Sequence, residues 1–276
     1  MRFLPTNQMW RYWSLETFLA DVSAEGMRDV DLWLCNCHVN IDAHGLYNAG
    51  EMIVACRKHG VRIRTLTPEQ GNPKAYNVAS SDAETKRLTL GYYRNVVELA
   101  ALAGASRISI NAGWFPLDVE PARAWDAMVA AVAAVCDLAA EEGIEVCLET
   151  LVAKPYRLVT DLASLRRALA DINRSNLRAT LDTGTIARNG EELPAYLAAF
   201  GSYVGYVHLT NLDPTVFAHL AWGDPSGTLD PAAIVRTLRA GGYEGDCALE
   251  ATRASYFGHP REILSRANIT LKGCER

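Results

Sequence analysis

Short apolar runs recur along the chain, and each is followed by a stretch whose apolar positions return every three or four residues. The first pattern is that of a strand buried on both faces, the second that of a helix with one buried stripe. Strands are predicted over residues 3–6, 30–34, 61–66, 107–111, 144–149, 177–182, 204–209 and 247–250. Helices are predicted over residues 14–25, 49–59, 82–103, 121–142, 161–171, 191–200, 230–240 and 261–272. Ser14, Thr160 and Asp230 with Pro231 mark helix starts, because their oxygens accept the first free amides and proline suits the first turn. Gly26, Gly60, Gly104, Gly143 and the pair Gly241 and Gly242 mark the stops. A long loop with Gly71, Asn72 and Pro73 follows the third strand.

Eight strands alternating with helices predict an α/β protein, a (β/α)8 TIM barrel in which residues 1–276 form a single domain. An open doubly wound sheet is the competing architecture. It would carry a G-x-G-x-x-G turn after the first strand, and none occurs there.

Four of the last strands end on a metal-type ligand: Glu149 in IEVCLET, Asp182 in LRATLD, His208 in VGYVHL and Glu250 in GDCALE. Parallel barrel strands deliver their C-terminal residues to one mouth. Chance places such residues at four consecutive strand ends about once in fifty, allowing for boundary errors. Three carboxylates crowded together repel, and burial adds to the penalty, so a dication is expected among them. Three oxygens and one nitrogen suit Mn²⁺ first, then Co²⁺ or Mg²⁺, rather than a thiolate-rich zinc site.

Charge narrows the partners. Net charge is −5 and no basic block is present, which argues against nucleic acid. No apolar run is long enough to span a bilayer, and residues 1–13 lack the features of a signal peptide. Of seven Cys, four (Cys56, Cys136, Cys147, Cys247) lie in apolar stretches, as small buried hydrophobes of a reducing cytoplasm. Cys35 and Cys37 form a C-x-C with no second pair at zinc spacing and are read as structural thiols; Cys274 is expected to be exposed.

The segments IEVCLETL, LRATLDTG, YVHLTN and CALEATR, with VDLWLCNCH, RTLTPEQGN and AYNVASSD upstream, resemble the xylose-isomerase-like barrel superfamily of sugar isomerases and epimerases. The pattern is similar to the ketose 3-epimerase and fructoselysine-epimerase branch. The resemblance implies that Glu149, Asp182, His208 and Glu250 hold one divalent ion. It also implies that Glu149 and Glu250 act as an acid–base pair, one removing and the other returning a proton beside a carbonyl. Three positions depart from the branch: Pro155 stands where a glutamate is usual, Thr185 where a histidine is usual, and Pro214 where an arginine is usual.

Substrate contacts are expected from His38, Glu69, Asn111, Trp114, Lys154 and His219, with Asp224 in the same loop as His219. Each has an ordinary alternative: His38 a structural hydrogen bond, Lys154 a solvated loop, Glu69 and Asn111 a turn cap. Trp10, Tyr12, Trp13, Phe115 and Trp222 are further aromatics of the expected mouth. No Gly-rich phosphate turn is visible.

The expected activity is that of a metal-dependent sugar isomerase or 3-epimerase acting on a keto sugar or keto-glycoside. The alternative is the α subunit of a C-glycoside deglycosidase, which cleaves 3-keto C-glycosides by elimination and needs a small β subunit. A cytoplasmic homo-oligomer is expected in the first case and a hetero-oligomer in the second. A nuclease of the endonuclease IV type would use more than the six His present, and a non-catalytic sugar-binding barrel would have no use for the quartet.

Overall fold

The computed structural model describes residues 1–70, 75–154 and 156–274. Gly71, Asn72, Pro73 and Pro155 lie outside them. Among the described residues eight parallel strands form a barrel: β1 (Arg2–Pro5), β2 (Asp29–Leu34), β3 (Arg62–Pro68), β4 (Arg107–Asn111), β5 (Glu145–Glu149), β6 (Leu177–Asp182), β7 (Val204–His208) and β8 (Asp246–Leu249). Their order is β1-β8-β7-β6-β5-β4-β3-β2, and a parallel bridge between Thr6 and Asp31 closes the ring.

The outer layer holds α1 (Leu15–Ala24), α2 (Ala49–His59), α3 (Ala83–Ala103), α4 (Pro121–Glu141), α5 (Leu162–Ile172), α6 (Thr183–Arg188), α7 (Leu193–Phe200), α8 (Pro231–Ala240) and α9 (Pro260–Gly273). Helix starts follow side-chain capping. Ser14 accepts from the Thr17 amide, Asp82 from Thr85 and Asp230 from Ala232. Two expectations need correction. Asp161, not Thr160, caps α5, in a reciprocal box with Ser164. The six-residue α6 falls where a loop was expected, between β6 and the helix predicted over 191–200.

The main core lies between strands and helices, where Leu32, Leu66, Ile108, Val146, Leu181 and Val207 meet the helix stripes. The barrel interior is separate. Leu4, Cys147, Tyr206 and Ala248 pack there as a small apolar cluster. Polar groups fill the rest. Tyr206 donates to Asp31 Oδ2 at 2.8 Å, and the Arg107 guanidinium lies 5.2 Å from the Tyr206 ring centre. Near the N-terminal end, Arg107 Nη1 donates to Asp246 Oδ2 at 2.7 Å, with Arg64 3.6 Å from the same oxygen.

Both members of the Arg107–Asp246 pair are almost wholly buried. Removing one leaves the other charged and desolvated. Asp246→Ala is therefore expected to lower unfolding free energy by about 3–5 kcal/mol. Urea titration with the variant's m-value held to that of the parent checks this, and a loss below about 1 kcal/mol contradicts it.

Register prepares the site. Asp182 lies opposite His208, His208 opposite Ala248, and Asn111 opposite Glu149. Glu250 follows β8 directly, because the strand ends at Leu249, one residue earlier than expected from sequence. The ends of β4 to β8 therefore reach the same level of the barrel.

Candidate metal centre and barrel mouth

Glu149, Asp182, His208 and Glu250 converge, with one candidate ligand atom from each lying within 4.8 Å of the others. His208 Nδ1 is 2.8 Å from Glu149 Oε1 and 3.0 Å from Glu250 Oε2. The His208 ring meets Tyr206 edge-on at 5.2 Å, which fixes its plane. Asp182 caps α6, so its Oδ1 accepts from the Thr185 amide at 2.7 Å and from Thr210 Oγ1 at 2.6 Å. Its Oδ2 is buried with no hydrogen-bond partner among the described residues, and His219 Nδ1 lies 3.5 Å away. Gln8 Nε2 donates to Glu250 Oε1 at 2.8 Å. Gly184 permits the Thr210 contact, since a Cβ there would stand 2.4 Å from Thr210 Oγ1.

The electrostatics are those of a crowded anionic site. Burial pushes Glu149 above the usual carboxylate range, although the nearby His208 opposes this. Burial would raise Glu250 as well, but the imidazoles of His219 and His208 and the Gln8 amide hold it low. Burial would lower His208, yet Glu149 and Glu250 keep it well above the ordinary imidazole value. The donor set and the unpartnered Asp182 Oδ2 fit a divalent cation. Thr185 and Thr210 occupy Oδ1 and leave the other oxygen aimed inward, as supporting groups of a metal ligand do.

The remaining predicted residues fall into two groups. His219 and Asn111 sit beside the quartet. Asn111 is the last residue of β4, and its Oδ1 accepts from the Gly113 amide at 2.9 Å. Trp114 follows, gripped through its backbone by Asn77, and its indole N–H is buried without a partner among the described residues. Glu69 is half-buried one residue past β3. Asp224 anchors its loop, accepting from Tyr256 Oη and from Ser226 Oγ at 2.7 Å, with Arg253 at 3.3 Å.

The second group has surroundings of a different kind. His38 has both ring nitrogens engaged, Nδ1 2.6 Å from Asn7 Nδ2 and Nε2 2.8 Å from the Trp13 carbonyl, so the imidazole is a structural strut. Lys154 is exposed in the segment after β5. Trp10 and Trp222 are core residues, donating to Asp21 and to the Leu209 carbonyl. Phe115 is buried beneath Arg157. Only Tyr12 and Trp13 of that aromatic set are exposed, flanking Phe257. Cys37 is exposed, its sulfur 3.3 Å from that of buried Cys35, and Cys274 is half-buried.

Sequence patterns missed Gln8, Thr210 and α6. Gln8 lies 242 positions from Glu250, beyond the reach of any local motif. The signal for α6 was present in Asp182-Thr-Gly-Thr, a helix-capping arrangement that also reads as the end of a strand.

Comparison with known proteins identifies the family. The description xylose isomerase-like TIM barrel matches residues 19–272. The chain belongs to this family. Among relatives of xylose isomerase-like barrels, a fructoselysine 3-epimerase from Escherichia coli O157:H7 is 22% identical over 256 residues, covering 92% of this chain and 90% of the relative. The solved D-psicose 3-epimerase from Clostridium cellulolyticum H10, in complex with D-tagatose, superposes with a TM-score of 0.79 at 16% identity, over 100% of this chain and 98% of that one. The 3-keto-D-glucoside 4-epimerase of E. coli superposes with a TM-score of 0.76 at 19% identity, over 100% and 99%. At these identities the structural matches establish the barrel itself. Among the described residues, no helix is long and apolar enough to cross a membrane.

Proposed function

We propose that this protein is a divalent-metal-dependent sugar epimerase or isomerase that moves a proton at the carbon beside the carbonyl of a keto sugar. The convergence of Glu149, Asp182, His208 and Glu250 carries the reading. The names of its relatives, a fructoselysine 3-epimerase and ketose 3-epimerases among them, support the substrate class. Those four residues would hold the ion, with Mn²⁺ preferred to Co²⁺ or Mg²⁺ on the donor set. When bound, it would polarise the carbonyl and stabilise negative charge on the oxygens beside the reacting carbon.

The protein's own groups do the rest. Glu149 ends β5 and Glu250 follows β8, with β6 and β7 between them in the ring, and a sugar seated at the ion would meet one carboxylate from each side. One carboxylate accepts the proton from one face of the carbon, and the other delivers a proton to the opposite face, inverting the centre. Gln8 keeps Glu250 oriented. His219 and Asn111, beside the quartet, would bind hydroxyls of the sugar.

The test is isotopic. Metal-loaded protein is incubated in D2O with D-fructose, D-tagatose and their 3-epimers, and solvent deuterium at the carbon beside the carbonyl is followed by NMR. Incorporation with formation of the epimer is expected; no incorporation into any ketose overturns the reading. Gln8→Ala, which removes a charge-assisted hydrogen bond to Glu250, is expected to lower kcat about tenfold or more with little change in KM. An unchanged kcat would mean that Glu250 is held by its neighbours alone.

A further inference from the structure

Beside the quartet, on the Asp182 side, α6 and the segments after β5, β7 and β8 leave a cleft of about 80 Å³, lined by Gly184, Thr185, Arg188, Phe217, His219 and Thr252 among others. None of its lining residues carries a carboxylate, and Arg188 is the one permanent charge among them. This composition is the inverse of the neighbouring centre, where three carboxylates meet. His219 stands at the junction, lining the cleft while its Nδ1 lies 3.5 Å from Asp182 Oδ2.

Arg188 is held firmly. It ends α6, and its Nη2 donates to the Asp213 carbonyl at 2.9 Å and the Val216 carbonyl at 2.7 Å. Its guanidinium carbon lies 5.7 Å from the Phe217 ring centre. Both hydrogen bonds use one nitrogen of a five-donor fork. Among the described residues the guanidinium is half-buried and pairs with no carboxylate. A fixed, partly desolvated guanidinium with its Nε and Nη1 donors to spare is suited to an oxyanion, which those donors can hold by single charge-assisted hydrogen bonds.

We propose that this cleft receives a carboxylate or phosphate group carried by the sugar, so that the substrate is an acidic keto sugar and Arg188 selects it. The substrate assignment rests on the reaction proposed above; the anion site rests on the cleft alone. Arg188 positions the charged end while the carbon beside the carbonyl sits between Glu149 and Glu250.

Two measurements separate the claims. In the first, inorganic phosphate and acetate are titrated calorimetrically into metal-loaded protein and into metal-loaded Arg188→Gln, so that any contact of the anion with the metal is common to both. Binding of at least one ion, weakened about tenfold or more in Arg188→Gln, is expected. In the second, kcat/KM for deuterium exchange is compared for D-fructose, its 1- and 6-phosphates and its C1 and C6 acid analogues. At least one anionic ketose is expected to exceed fructose about tenfold or more. Arg188→Gln should lower that ketose's value at least about tenfold more than it lowers fructose's, with Arg188→Lys between the two. Preference for phosphate or for carboxylate names the group. Equal losses for neutral and anionic ketoses would make Arg188 a loop staple and overturn the proposal, as would equal kcat/KM for all ketoses in the parent. No exchange with any ketose, together with Arg188-dependent phosphate binding, would overturn the reaction and leave the anion site standing.

Discussion

Glu149→Gln and Glu250→Gln are each expected to lower deuterium exchange by about 10²–10⁴-fold, the range typical of losing a positioned acid or base. Both substitutions keep the side-chain shape and one carbonyl oxygen, so the barrel should fold with unchanged circular dichroism. The two carboxylates also contact His208 Nδ1, at 2.8 and 3.0 Å, so metal content must be measured in the same samples. A variant that retains metal yet has lost exchange isolates the proton-transfer role. If either protein keeps turnover within about threefold of the parent while binding metal, that glutamate is not the acid or base, and the two-faced mechanism fails.

Removing the metal is expected to abolish activity and to lower the melting temperature. Three carboxylates packed around one imidazole repel each other, and a dication that binds only the folded barrel offsets that repulsion. At a free metal concentration 100-fold above Kd, the linkage contributes about 2.7 kcal/mol. For a chain of this size that corresponds to a shift of roughly 5 °C. Differential scanning fluorimetry with chelator, then with Mn²⁺, Co²⁺ or Mg²⁺ restored, reads the shift and ranks the metals. Asp182→Ala should remove most of the response, because it deletes the ligand oxygen that lies buried without a hydrogen-bond partner among the described residues. A chelator-treated protein that keeps its melting temperature and full activity would rule out a metal centre at this site.

The barrel and its quartet were legible because two independent signals coincide there. A short run apolar on both faces fits only a strand covered by helices, and a charged residue at its end has few places to go except the mouth. Glu149, Asp182, His208 and Glu250 satisfy both conditions, and the strand ends align by register. Aromatic residues carry no such coincidence. Trp10 and Trp222 follow strand ends just as Trp13 does, yet the first two face the core and only Trp13 reaches solvent. His38 looked like a mouth ligand because nothing local shows that Asn7 and the Trp13 carbonyl claim its two nitrogens. Arg188 was overlooked because α6 was read as loop, and a loop arginine has no assigned direction.

One contact has a consequence for how the protein is made. Gln8 leaves the ribosome 242 residues ahead of the carboxylate it steadies, and β1 pairs with β8 at the seam made last. A nascent polypeptide therefore carries three of the four metal-type ligands, unscreened by a finished wall, before the fourth exists. Ribosome-bound chains stopped before residue 246 should be protease-sensitive and inactive, and competence should arrive in one step when the final strand emerges.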